Sequence, residues 1–146
     1  MSQTKPRSMP VPAPQDELRA QFWEHCAERR LCFQKCSDCG SWRHLPRYLC
    51  PKCHSADWEW AESCGRGVLF SWTITHRPMH PAFTPQLPLA AVIVEMEEGV
   101  RLVSGVRDIA NEDLVLDLPV EAIFESVPGV SGGLDEMSLP FFRPRG

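Results

Sequence analysis

Residues 36–53 read C-S-D-C-G-S-W-R-H-L-P-R-Y-L-C-P-K-C, and this stretch decides the fold. Two C-x2-C pairs, Cys36/Cys39 and Cys50/Cys53, face each other across ten intervening residues. Each pair can form a tight turn that aims two thiolates and several backbone N–H groups at one point. Gly40 follows the first pair, where the chain needs a left-handed φ to turn back. Pro51 stiffens the second knuckle. Together the knuckles supply four sulfurs in a tetrahedral shell, the arrangement of a structural Zn2+. Iron suits the same S4 cage and stays open as the alternative. Four thiolates leave no position for water or substrate, which argues for a structural site and against a hydrolytic metal. His44 and His54 lie close in sequence but are read as bystanders.

Outward from this ribbon, composition sets bounds. The chain has 146 residues, of which 43% are hydrophobic, so it can bury a core. A net charge of −4 weighs against a protein whose main business is neutralising phosphates. Seven cysteines, four in metal spacing, point to a reducing interior. The proline-rich start has no apolar core of a signal peptide, and no run approaches a membrane span. The expected location is therefore the cytoplasm, with no membrane partner.

In chain order, residues 1–14 read as a flexible tail. A helix follows over 15–30, opened by Gln15 or Asp16. Leu18, Phe22 and Cys26 form its apolar stripe, with Trp23 alongside. Phe22 and Trp23 either pack on the rest of the chain or form a partner interface. Cys26 and Cys32 are read as ordinary thiols. A weakly alternating strand over 31–35 enters the ribbon. Within the ribbon loop, Arg43, His44 and Arg47 form a basic patch beside Trp42 and Tyr48, read as a solvated loop with a phosphate contact as the alternative. Trp58 and Trp60 begin a strand that leaves the ribbon.

Beyond Cys64 the β-branched and aromatic content rises. Strands are expected over 68–75, 89–96, 100–106, 119–127 and, briefly, 139–142. Residues 76–87 read as a proline-rich loop, and 108–114 as a short helix or turn. Gly132-Gly133 marks a flexible turn. Five strands at this spacing suggest a small closed barrel, of which the OB-fold is one candidate. The expected organisation is a tail (1–14), helix and linker strand (15–34), zinc ribbon (35–61) and barrel (62–146). The fold class is mainly β.

The ordered parts resemble the DUF35 family of rubredoxin-like zinc ribbon plus OB-fold proteins. The resemblance rests on Cys36, Cys39, Gly40, Pro46, Arg47, Cys50, Pro51 and Cys53. It continues through Gly65, Gly67, Phe70, Ser71, Trp72 and Thr73 to Leu139, Pro140 and Phe142. It covers residues 15–143. One departure is Leu116-Asp117-Leu118, where the family often carries a glycine before the fourth barrel strand. The resemblance implies a five-stranded OB-fold barrel. It also implies an accessory subunit that binds or channels acyl-CoA beside a thiolase-fold enzyme or a MaoC-type enoyl-CoA hydratase. The thiolase-fold partners of the family include thiolases and aldolases of steroid side-chain degradation.

For a CoA ligand, Arg47, Arg77 and Arg101 are candidate phosphate contacts, and Trp72 a candidate stacking or wall residue. No serine elbow, phosphate loop or open metal site suggests catalysis. His76 and His80 flank Arg77 but read as exposed loop, and Glu95, Glu97 and Glu98 as solvated turn residues. The competing function is single-stranded nucleic-acid binding, with Phe70, Trp72 and Phe83 as stacking groups. The acidic balance argues against it.

Overall fold

The computed structural model describes residues 16–128 and 136–146. The expected tail over 1–14 and the Gly132-Gly133 turn lie outside the described residues. The first element is α1 (Glu17–Ala27), capped by Asp16, whose carboxylate accepts the Arg19 backbone N–H at 2.8 Å. Leu18, Phe22 and Cys26 are its buried face. An eleven-residue helix is marginal on its own, so this packing holds it. It stops sooner than expected because Arg29 takes a left-handed φ of 59°, its N–H donating to the Cys26 carbonyl.

The ribbon is a three-stranded antiparallel sheet of β1 (Cys32–Cys36), β2 (Trp42–Arg43) and β3 (Trp58–Glu62). Its order is β2-β1-β3, with β3 paired along all of β1 from Cys32↔Glu62 to Cys36↔Trp58. The central strand is covered on both faces, which makes Cys32, Phe33 and Gln34 all buried.

Five longer strands follow: β4 (Arg66–Thr75), β5 (Leu89–Met96), β6 (Arg101–Ser104), β7 (Pro119–Pro128) and β8 (Glu136–Pro144). Their order is β6-β5-β4-β7-β8. β4 pairs with β5 on one edge and β7 on the other, and a bulge between Leu69 and Ser71 lets it coil. Gly67 sits between both partners, and a Cβ there would lie 2.5 Å from the Glu95 carbonyl oxygen. A parallel bridge joins Val106 to Phe142 and brings the two outer strands together, curling the sheet as an OB-fold does. The bonds that make it are Arg107 N–H to the Phe142 carbonyl and Phe142 N–H to the Gly105 carbonyl, at 2.8 and 3.1 Å.

Leu69, Val92, Val94, Val120 and Phe142 fill the barrel and are fully buried. Phe22, Cys26, Leu31 and Phe33 join the same cluster. Helix, ribbon and barrel therefore share one core.

Three further expectations change. The 76–87 loop contains a 3-10 turn, Pro81–Gln86, capped by His80 Nδ1 accepting the Ala82 N–H at 3.1 Å. The last strand is long, because β8 pairs with nearly all of β7, from Val120↔Pro144 to Val127↔Met137 and on to Pro128↔Glu136. Before β7, Asp117 itself adopts the left-handed region, with φ 61°, and donates its N–H to the Leu69 carbonyl. The turn geometry survives the missing glycine because aspartate tolerates that conformation better than most residues.

Candidate metal centre and ligand cleft

The two knuckles are built alike. Cys36 N–H donates to the Ser41 carbonyl and Gly40 N–H to the Cys36 carbonyl, at 2.8 and 3.0 Å. In the second knuckle Cys50 N–H donates to Ser55 and His54 N–H to Cys50, both at 2.9 Å. Gly40 and His54 occupy matching positions with φ of 75° and 65°. His54 thus has a backbone role that its side-chain chemistry does not suggest. The turns also cross-brace, with Ser55 Oγ donating to Asp38.

The four sulfurs lie within 4.8 Å of one another, with Cys36–Cys53 at 3.5 Å and Cys39–Cys50 at 3.6 Å. A tetrahedron with metal–sulfur bonds of about 2.3 Å needs sulfurs roughly 3.8 Å apart, so the donor set fits a metal without rearrangement. Ser41 Oγ sits 3.1 Å from Cys39 Sγ and 3.4 Å from Cys50 Sγ. That hydroxyl leads the effects that lower both thiols, Cys50 to about 5, whereas Cys53, although its hydrogen bond from the Ser55 backbone lowers it, is pushed up to about 12 by the neighbouring thiols and by burial. Cys36 and Cys50 are buried while Cys39 and Cys53 face solvent.

The basic patch is solvated only in part: the side chains of Arg47 and Tyr48 are exposed, and Arg43 is not. Gln34, fully buried on β1, accepts from both Arg43 Nε (2.9 Å) and Arg47 N–H (2.7 Å) through Oε1. Its amide nitrogen donates to the Arg47 carbonyl at 2.9 Å, and Arg43 Nη2 donates to the same oxygen at 2.8 Å. Arg43 is buried as a result. His44 packs between the rings of Phe22 and Phe33, at 5.0 and 5.2 Å, and burial pushes its pKa down to about 4. The sequence shows three basic residues but not the glutamine that folds the loop over them.

All three parts of the chain meet at a cleft of about 700 Å³. Phe22 and Trp23 of α1 form one wall, His44, Leu45 and Pro46 of the ribbon loop another. Phe83, the start of β5, residues 101–105 and Leu139, Pro140 and Phe141 of β8 complete it. The lining is mainly apolar, with arginines at its margin. Arg101 lies over Phe70 at 3.8 Å, and Arg107 over Phe141 at 3.9 Å. A smaller cleft of about 410 Å³ adjoins it, and the two share His44, Leu45 and Arg101.

Among the candidate CoA contacts, Arg101 lines both clefts and Arg47 the smaller one. Trp72 lines neither; it stands on β4 opposite Val92 and packs against the core. Arg77 is exposed in the loop after β4 and also lines neither. Phe22 is buried, so of the candidate interface pair only Trp23 presents a partly exposed ring. Glu97 and Glu98 are not idle turn carboxylates. Glu98 accepts from Ser63 Oγ and the Cys64 N–H, and Glu97 lies 3.7 Å from Arg66 and 3.8 Å from Arg145. Among the described residues no helix is long and apolar enough to cross a membrane.

Comparison with known proteins agrees with this architecture. Residues 23–59 match the profile "ChsH2, rubredoxin-like zinc ribbon domain", and residues 60–125 match "ChsH2, C-terminal OB-fold domain". A "Probable enoyl-CoA hydratase alpha subunit" of Thermomonospora curvata is 36% identical over 98% of this chain. The chain spans only 42% of that relative's length. A "DUF35 domain-containing scaffold protein" of Methanocaldococcus jannaschii is 30% identical, over 77% of this chain and 80% of its own. Among solved structures, the "Ltp2-ChsH2(DUF35) aldolase" superposes with a TM-score of 0.77 at 34% identity, covering 92% of this chain and 98% of that one. Ribbon, barrel and relatives together establish that this chain belongs to the DUF35 family.

Proposed function

We propose that this chain is a non-catalytic accessory subunit that binds or channels an acyl-CoA thioester. Its partner in this reading is a thiolase-fold enzyme or a MaoC-type enoyl-CoA hydratase. The observation that carries the reading is the larger cleft. An apolar chamber of about 700 Å³, edged by arginines, suits an acyl group attached to a charged carrier. The names of the relatives support it: one is a hydratase subunit, one a scaffold, and one a component of an aldolase assembly.

The titratable groups of the cleft do not suggest acid–base catalysis. His44 is half-buried between two phenyl rings, which favours its neutral form, and Glu125 is paired with Arg107 at 2.8 Å. Cys36, Cys39, Cys50 and Cys53 would hold one zinc ion, with iron as the alternative occupant. A closed thiolate shell supplies a cross-link and no reaction site. Such a thiolate centre belongs in a reducing compartment, which supports the cytoplasm.

The test is co-expression with thiolase-like and hydratase-like proteins, followed by size exclusion, metal analysis and titration with octanoyl-CoA. Co-elution with about one zinc per chain and saturable octanoyl-CoA binding is the expected result. A chain that elutes alone from every such candidate and binds no acyl-CoA would sink the reading.

A further inference from the structure

The barrel closes only in part, and one residue stops it. Phe142 of β8 makes the parallel bridge to Val106, donating its N–H to the Gly105 carbonyl and accepting from the Arg107 N–H. One step back along the same ladder, residue 140 would donate to the Val103 carbonyl. That residue is Pro140, which has no N–H. A side chain spans the gap instead, with Ser104 Oγ donating to the Pro140 carbonyl at 2.9 Å. β6 stands at the end of the sheet order, and among the described residues its strand partner is β5 alone. The β5–β6 register fixes which backbone groups stay free. Met96 N–H donates to the Val100 carbonyl, and bonded and non-bonded pairs alternate from there. Leu102 and Ser104 therefore bond to Val94 and Val92, while Arg101 and Val103 turn their N–H and C=O away from β5. Among the described residues no backbone group meets them. Natural edges are commonly blunted by a charged side chain. Arg101 does not serve that purpose. Its guanidinium lies over Phe70 of β4 at 3.8 Å and bonds Glu95 of β5 at 3.1 Å, so it reaches back across the sheet. Val103 beside it is 73% exposed.

We propose that the free edge of β6 is a strand-addition site for an extended segment of the partner enzyme. The proposal rests on the accessory-subunit reading and deepens it by naming the surface and the mode of docking. Unpaired N–H and C=O groups at every second residue are what an added strand recognises. The edge opens into the larger cleft, whose other walls are α1, the ribbon loop and β8. Such a slot takes one extended chain rather than a second folded copy. Charge narrows the choice further. Arg19, Arg101 and Arg107 line the cleft against the single carboxylate of Glu125, so the segment that fits is neutral or acidic. Added beside Val103, it would cover the cleft from the β6 side.

The experiment uses the full chain with its metal and follows amide hydrogen exchange by NMR. The probe is the peptide acetyl-Asp-Thr-Val-Thr-Val-Thr-Asp-amide, and its control is the same peptide with the central amides methylated. The probe should slow exchange of the Arg101 and Val103 amides by about tenfold or more, and leave Leu102 and Ser104, already bonded to β5, as they were. The methylated control should not bind. Val103→Pro, which removes one outward N–H, should weaken the probe about tenfold, while Val103→Ala, which keeps it, should change affinity by less than about twofold. Where Val103→Pro loses its thermal transition, the exchange pattern decides. The same exchange is then read with each thiolase-like or hydratase-like enzyme that co-elutes with the chain, and protection of both amides is expected. An enzyme that co-elutes while both amides exchange freely overturns the strand site and leaves the accessory reading standing. Protection by the probe with no co-eluting enzyme overturns the assignment to an enzyme, and free exchange with neither probe nor enzyme bound overturns both. Protection that depends on chain concentration, or that is present in the free chain and lost on removal of residues 1–14, overturns the partner and assigns the edge to a second copy or to the chain itself.

Discussion

His44 shows how much one side chain can reveal about its surroundings. Its imidazole lies in an aromatic slot, and burial lowers its pKa from 6.5 to about 4. Between those values the unfolded chain takes up a proton that the folded chain refuses. Stability from this group is therefore complete above pH 6.5 and falls as the pH drops toward 4, by up to about 3 kcal/mol. Denaturant melts at steps from pH 7 to 4 should show that slope, and His44→Leu should flatten it. At Asp117 the left-handed φ of 61° carries a conformational cost that glycine does not have. Asp117→Gly should raise stability modestly, by up to about 1 kcal/mol, because relief of that strain exceeds the added freedom of the unfolded chain. A lower melting temperature in this variant would show that the aspartate side chain contributes more than its backbone costs. Gly67 is the opposite case. A Cβ would press on the β5 backbone at Glu95, so Gly67→Ala should cost about 1–3 kcal/mol, measured by urea unfolding.

At the scale of elements, the ribbon has too little apolar surface to hold itself together. Its strands are five, two and five residues long, and its four thiols lie at one point. A structural metal in such a unit supplies on the order of 10 kcal/mol of apparent binding energy. Cys50→Ser removes the buried ligand that Ser41 also contacts. That variant should retain less than half the metal and lose at least about 3 kcal/mol, which lowers the melting temperature by roughly 10 °C in a chain of this size. Metal analysis beside calorimetry checks it. Unchanged metal content and melting would remove the structural role from the centre. The matched knuckles make a contrasting case, since His54→Gly should keep the metal because the position needs only its φ.

For the molecule as a whole, the shared core decides how the parts behave. Phe22 and Cys26 of α1, Phe33 of β1 and Leu69, Val92 and Phe142 of the barrel belong to one buried cluster. No solvent layer separates ribbon from barrel, so their unfolding is coupled. Calorimetry of the metal-bound chain should give a single transition. Two resolved transitions, one of them metal-dependent, would mean that ribbon and barrel fold independently. The cleft has the same origin. Its walls come from α1, the ribbon loop and the barrel, so none of them holds a ligand alone.

The four-cysteine cluster was legible in the chain itself, because C-x2-C spacing is a local constraint that needs no knowledge of the fold. The barrel strands and the stripe of α1 were legible for a related reason: burial imposes its period on neighbouring residues. Length of pairing was not. Residues 139–142 read as a short strand because nothing local shows how far a strand pairs, and only the register with β7 extends it over Glu136–Pro144. The proline-rich loop likewise concealed a 3-10 turn, since its His80 cap is a single local bond with no repeating pattern. The fate of the basic patch depended on Gln34, nine and thirteen residues away, whose one amide binds both Arg43 and Arg47. Trp72 and Arg77 were chosen for their chemistry, yet tertiary packing set one against the core and left the other exposed outside the lining of the two clefts. Sequence alone determined the main elements and the four-cysteine cluster, whose determinants lie within a few residues of each other. The tertiary structure alone decided the clefts, because a cavity is the space left between elements distant in the chain.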